Sequence, residues 1–161
     1  MKKERPIIFA TSMVEAITAG KKTQTRRIVN PRRMSCPYGE PGDVLWVKER
    51  YRIDNERGAT HCVLYDENGL TPLFMPRWAS RLTLKIIATR RERLQAITET
   101  DATAEGFEYV RYSAPSDIRS SVDFFRYYWD SIHGNSDRWD ENPDVWVIEF
   151  EPSKVLSGID S

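Results

Sequence analysis

Three segments of this chain alternate apolar and polar side chains with the two-residue period of a strand, yet helical segments do not alternate regularly with them. No Gly-rich phosphate loop follows any of the three either, so these signals disfavour a doubly wound parallel sheet and a mixed sheet is expected. The clearest segment is Val44 to Tyr51, with Leu45, Val47 and Tyr51 on one side and Val44 and Trp46 on the other. Leu82 to Thr89 places Leu82, Leu84, Ile86 and Ala88 on one face, and Val145 to Phe150 forms the last strand. Two shorter strands are expected at Ile7 to Ala10 and His61 to Tyr65. The second closes at Asp66-Glu67-Asn68-Gly69 and returns along Leu70 to Met75 as a hairpin, while residues 52 to 60 read as a polar turn.

Helix signals occur in three places. Ser12 and Glu15 form a Ser-x-x-Glu capping box, Val14 and Ile17 supply an apolar edge, and Gly20 is placed for the left-handed stop. Thr98 and Asp101 make a second, shorter box, closed by Gly106 after Glu105. Ser116-Asp117 opens the longest helix, in which Ile118, Val122, Phe125, Trp129 and Ile132 recur at steps of 4, 3, 4 and 3, and Gly134 ends it. Irregular stretches fill the rest: Asn30 to Asp43 with three prolines, Met75 to Arg81 as a loop or single helical turn, and Asn135 to Pro143. At 161 residues with 40% hydrophobic content, this order implies one α+β domain, a small mixed β-barrel with helices packed at its openings.

The first helix leads into Gly20-Lys21-Lys22-Thr23-Gln24-Thr25-Arg26-Arg27, where four cations and two hydroxyls fall within eight residues. No acid occurs between Ala16 and Gly39, so this segment is a candidate anion site. The 24 basic and 24 acidic residues cancel overall, but residues 1 to 97 hold 19 cations against 10 acids and residues 98 to 161 hold 5 against 14. Either one face is reserved for a polyanion, or the two halves interleave and pair their charges on the surface. No stretch reaches membrane-spanning length. Cys36 and Cys62 have neither a CxxC spacing nor a secretory context, so a cytoplasmic location with reduced thiols is expected. Adjacent His61 and Cys62 on a strand point oppositely, so neither a zinc site nor another cofactor is expected.

The basic octapeptide after a short helix, Pro41-Gly42-Asp43 before a Trp-bearing strand, Ala104-Glu105-Gly106 closing the second helix and the strand Val145 to Phe150 together resemble the ASCH domain, a family of PUA-like barrels. With Met75-Pro76-Arg77-Trp78-Ala79-Ser80-Arg81 added, the chain is similar to the longer bacteriophage and prophage versions, with extra sequence at about 52–80 and 107–116. The resemblance implies a cleft beside the first helix that binds RNA or a modified nucleoside. Shorter bacterial relatives are amidohydrolases that deacetylate N4-acetylcytidine, and their lysine, threonine and glutamate fall here on Lys22, Thr25 and Glu105. In that role Thr25 is the nucleophile, Lys22 its activator and Glu105 the acid or base.

Lys22 and Thr25 lie three residues apart, so a turn there would let the amine ease deprotonation of an otherwise inert hydroxyl. Burial, or the nearby Lys21, Arg26 and Arg27, would lower the lysine pKa as this requires. Arg26, Arg27, Arg77 and Arg81 could grip phosphate or a carbonyl with Trp78 as a stacking platform; equally, Trp78 could be a core plug and the arginines paired with acids. Trp46, Trp129 and Trp146 sit on patterned elements and read as core. Trp139, in the acidic loop Asp137 to Glu141, is a contact for a protein partner or a flap.

Overall fold

The computed structural model describes residues 1–54, 62–108 and 116–155. Its strands are β1 (Glu4–Ile8), β2 (Gln24–Ile28), β3 (Val44–Lys48), β4 (Tyr51–Asp54), β5 (Cys62–Tyr65), β6 (Leu82–Arg93) and β7 (Asp144–Val155). Its helices are α1 (Thr11–Thr18), α2 (Glu99–Ala104) and α3 (Ser121–Ile132). Five strands form one mixed sheet in the order β1-β3-β6-β7-β2, parallel only between β1 and β3, and β4-β5 is a separate antiparallel pair. The α+β class is as expected. No backbone ladder joins β1 to β2 among the described residues; instead Arg27 Nη2 donates to the Ile8 carbonyl at 2.7 Å across that gap.

Strand β7 organises the core because both of its faces are covered. Ile148 and Phe150 join Ile7, Leu45, Val47, Leu84 and Ile86 beneath Val14 and Ile17 of α1, whereas Val145 and Val147 pack with Phe125 and Trp129 of α3. Each such side chain stabilises the fold by roughly 1.5–3 kcal/mol through burial. No helix among the described residues is long and apolar enough to cross a membrane.

Several local expectations are corrected. Strand β1 runs from Glu4 to Ile8 rather than from Ile7 to Ala10, and Pro6 is tolerated because β1 is an edge strand. The Ser12–Glu15 box is not made: Ala10 is the N-cap, without a side-chain hydrogen bond, and burial of Val14 and Ile17 sets where the helix lies. The segment from Val44 to Tyr51 is divided at Glu49-Arg50 between β3 and β4. The hairpin partner of β5 is β4; Leu70 makes a single bridge to Tyr51, and Pro72 then starts a short helical turn capped by Thr71. Strand β6 continues to Arg93 and β7 to Val155. Helix α3 starts at Ser121 under a Ser120 cap, so buried Ile118 precedes it, and Ile132 at its end is exposed. The turn-like residues 55 to 60, His61 and most of the extra segment at 107–116 lie outside the described residues.

Candidate functional site

Gly20 adopts φ +76°, and the amides of Lys21 and Lys22 both return to the Ala16 carbonyl at 2.8 and 3.1 Å. This αL stop throws the chain off α1 toward α2, where Thr23 N donates to the Ala104 carbonyl at 2.7 Å. The basic segment then enters the sheet as β2, antiparallel to β7, with Thr25 opposite Ile148 and Arg27 opposite Trp146. From Lys22 to Thr25 the chain therefore runs into β2 at Gln24 instead of making the turn that would bring the two side chains together. The Thr98–Asp101 box forms in full, and Glu105 caps the end of α2 beside Lys22.

Lys22, Thr25, Arg26, Arg27 and Glu105 line one cavity of about 190 Å³. Its remaining walls are largely aromatic: Phe9, Phe107, Phe125, Tyr128, Trp129 and His133. Lys22 is buried, and its ammonium donates to the Gln24 carbonyl at 2.8 Å, the Glu105 carbonyl at 2.9 Å and Glu105 Oε2 at 3.3 Å. Three acceptors match the three protons of an ammonium. Burial pulls the Lys22 pKa below the usual lysine value; the Glu105 carboxylate opposes this, and Arg27 and Arg26 add to it. Thr25 shares the cavity but makes no hydrogen bond to Lys22 or Glu105; the lysine is engaged with the glutamate instead.

Arg26 is not available to grip phosphate. Its side chain is fully buried, with Nη1 on Glu105 Oε1 at 2.8 Å, Nη2 on Glu92 Oε1 at 2.7 Å, and Asp101 Oδ2 at 3.3 Å. Glu92 and Asp101 are held from the outside by Arg90, at 3.2 Å each. Arg27 differs. Its guanidinium lies 5.1 Å from the Phe9 ring centre and 5.9 Å from that of Tyr38 and forms no ion pair among the described residues; its buried Nε, like that of Arg26, has no hydrogen-bond partner. Tyr128 stays a phenol, since burial raises its pKa and the Arg27 charge only partly offsets that. His133 stacks on Trp129 at 4.1 Å, and its Nδ1 faces the Trp129 carbonyl at 3.1 Å; in the neutral ring the proton belongs on Nδ1 and Nε2 is the acceptor.

The other candidates lie elsewhere. Lys21 is exposed outside the cavity. Arg77, Trp78 and Arg81 line a second concavity with Lys154, and both arginines are paired, with Glu4 and Glu49 respectively. Trp129 is core as expected, while Trp46 and Trp146 are only partly buried. Trp139 packs against the α3 cluster under Arg126, and its amide donates to Asp130 at 2.8 Å, so it is part of the fold rather than a free contact. Sequence reasoning missed the aromatic walls and the Glu92–Asp101 brace. Phe125 and Trp129 carried the core stripe that could have flagged the wall, and Glu92 was hidden within a run of arginines.

No protein-family model matches the chain, and no curated protein matches it. Among solved structures, protein EF3133 of Enterococcus faecalis, from the DUF984 family, is similar over 100% of this chain and 87% of its own, at 10% identity with a TM-score of 0.58. The chain shares the EF3133 fold. An ASCH domain from Lactobacillus crispatus is similar over 93% of this chain and 79% of its own, at 11% identity with a TM-score of 0.49.

Proposed function

We propose that this protein recognises a modified nucleoside, free or within RNA, by taking its base into the cavity between α1, β2 and α3. One observation carries the reading: a guanidinium with no carboxylate partner, Arg27, stands in an aromatic-walled cavity of about 190 Å³. That is smaller than the roughly 300–1,000 Å³ of pockets for drug-sized ligands and suits one planar ring system. Aromatic walls favour a π-face, Arg27 offers N–H donors to a base carbonyl, and Glu105 and His133 offer acceptors to exocyclic N–H groups. The reading treats the sheet as a PUA-like barrel with α1 standing between β1 and β2. Titrating the protein with cytidine, N4-acetylcytidine and a panel of other modified nucleosides, followed by tryptophan fluorescence, tests it. Saturable binding lost in Arg27→Met is expected, and a folded protein that binds none of the panel overturns the proposal.

A second reading, hydrolysis of an N4-acyl amide, is favoured by the Thr25 hydroxyl sharing the cavity with Lys22 and Glu105. Thr25 Oγ would add to the acyl carbonyl as its proton passes to neutral Lys22. The C–N bond would then break as the exocyclic nitrogen receives a proton from Glu105, and water would release the acid from the threonine ester. Lys22 must first pass one of its three protons to Glu105 Oε2, 3.3 Å away, which leaves the neutral amine and the carboxylic acid that these steps use; burial makes that transfer less costly. Acetate release from N4-acetylcytidine, abolished in Thr25→Ala, supports this reading; tight binding without release leaves a binding module.

A further inference from the structure

Arg77, Trp78, Arg81, Thr83 and Lys154 surround a separate concavity of about 200 Å³ that no carboxylate lines. It lies at the far end of β7 from the cavity. Arg26 faces Val147 and Thr83 faces Lys154, seven residues further along the same strand, or roughly 23 Å at the rise of a strand. The two sites are therefore independent.

We infer that this concavity is a phosphate-binding site for a single-stranded nucleic acid, with one base stacked on Trp78. Both arginines are fixed in place by a carboxylate on one edge of the guanidinium. Arg77 presents Nε and Nη2 to Glu4 at 3.0 and 3.2 Å, and Arg81 presents the same pair to Glu49 at 2.9 and 2.7 Å. Each Nη1 remains, with two N–H donors and no partner among the described residues. Arg77 is further steadied over the Trp46 ring at 5.8 Å and Arg81 over Tyr65 at 4.1 Å, so little freedom is lost when they meet an anion.

Lys154 is exposed and forms no ion pair among the described residues, which leaves the three cations one charge in excess of Glu4 and Glu49. The Thr83 hydroxyl shares a hydrogen bond with Ser153 at 2.9 Å and can turn to donate to a phosphate oxygen. The Trp78 ring is 52% exposed at the rim. One excess charge is too little to hold a duplex by its backbone alone, whereas a flexible strand can set a phosphate in the concavity and an unstacked base on the tryptophan. An acidic peptide would use the cations but gain nothing specific from the indole.

The test is fluorescence anisotropy of a labelled single-stranded oligoribonucleotide at about 50 and about 200 mM salt. Wild type is compared with Trp78→Ala and Lys154→Glu. Trp78 is 52% exposed and Lys154 is exposed, and a wild-type Tm is required of each variant before its binding is read. Trp78→Ala is expected to weaken binding roughly 5- to 150-fold, the loss of one stacked base. Lys154→Glu should lower the slope of log K against log salt by at least about 0.7. Nucleoside titration of Trp78→Ala and Lys154→Glu reads the base cavity separately and should match wild type, so failure here and failure of the base cavity are distinguishable. Wild-type affinities in both surface variants overturn the proposal, as does absence of binding at low salt. Displacement of the oligonucleotide by polyglutamate equally well from wild type and Trp78→Ala would also overturn it and identify the surface as one for acidic protein.

Discussion

Replacing Arg26 by methionine should destabilise the scaffold rather than act on a ligand directly. The guanidinium is fully buried and is the shared partner of Glu105, Glu92 and Asp101 at 2.8, 2.7 and 3.3 Å. Removing one member of a buried pair costs about 3–5 kcal/mol, because the remaining charge is left uncompensated. Glu92 and Asp101 are about one-fifth exposed and keep Arg90, and Glu105 keeps Lys22, which places the expected loss near the lower end, about 3 kcal/mol. For a chain of this size that corresponds to a fall in Tm of roughly 6–12 °C. In urea, with m of about 2 kcal/mol/M, the midpoint should move by about 1.5 M.

The pH dependence separates this account from simple loss of packing. Burial alone would raise the Asp101 pKa, but the Thr98 amide and hydroxyl, the Arg26 charge and Gln24 hold it below the usual aspartate value. A carboxyl depressed in the folded state contributes stability that is full above its unfolded pKa and is lost as pH falls through the folded one. The gap between wild type and Arg26→Met should therefore be widest near neutrality and narrow below about pH 4. Urea titrations at pH 7, 5 and 3.5 measure it. A loss under about 1 kcal/mol, the value for an exposed pair, or a gap that does not change with pH, refutes the reasoning.

Two further outcomes follow from the same electrostatics. Burial lowers the Lys22 pKa, so between that value and the unfolded one the unfolded chain holds a proton that the folded chain has released. Stability attributable to Lys22 thus rises with pH at up to about 1.4 kcal/mol per unit, and urea titrations at alkaline pH should show the rise in wild type but not in Lys22→Met. Asp43 accepts from Lys3 N, Arg5 Nη1 and Glu40 N at 3.0, 2.8 and 3.2 Å, and the Lys3 amide, then Arg5, brings its pKa to about 2. NMR titration of its carboxyl carbon should show a midpoint there. Asp43→Asn should remove stability that wild type has in full above about pH 3.9 and loses as pH falls through about 2. A midpoint near the ordinary aspartate value overturns that reading.

Signals that depend on a few adjacent residues were legible in the sequence. The Thr98–Asp101 box, the Gly20 and Gly106 stops and the cores of β3, β6 and β7 appear where local chemistry puts them. What tertiary pairing decides was not legible. Strand β6 runs on through Arg90 to Arg93 because those arginines meet carboxylates on β7, Glu149 and Asp144, across the ladder. A charged run that looks like a loop is thereby paired strand. Likewise Gly20 to Arg27 reads only as a basic segment leaving the first helix until β7 supplies a ladder for its second half, which buries Gln24, Thr25 and Arg26 together. Polar side chains carry no local mark of being buried.

The charge asymmetry between the two halves of the sequence follows the same logic. Because β7 returns beside both β2 and β6, acids of the second half meet cations of the first. Arg26 pairs with Asp101 and Glu105, Lys22 with Glu105, Arg90 with Asp101 and Glu149, and Arg91 and Arg93 with Asp144. The asymmetry is thus largely an internal pairing rather than a face set aside for a polyanion, and counting cations along the chain overstates what a ligand can meet. What matters is which cations remain without a carboxylate. Arg26 and Arg27 are neighbours in sequence and both reach the cavity wall, yet successive positions of a strand give their guanidinium groups different surroundings. One is committed to three acids, and the other stands between Phe9 and Tyr38 without a carboxylate among the described residues. Moving the strand register by one residue would exchange their places, so the β2–β7 ladder itself determines which of the two arginines is left without a carboxylate.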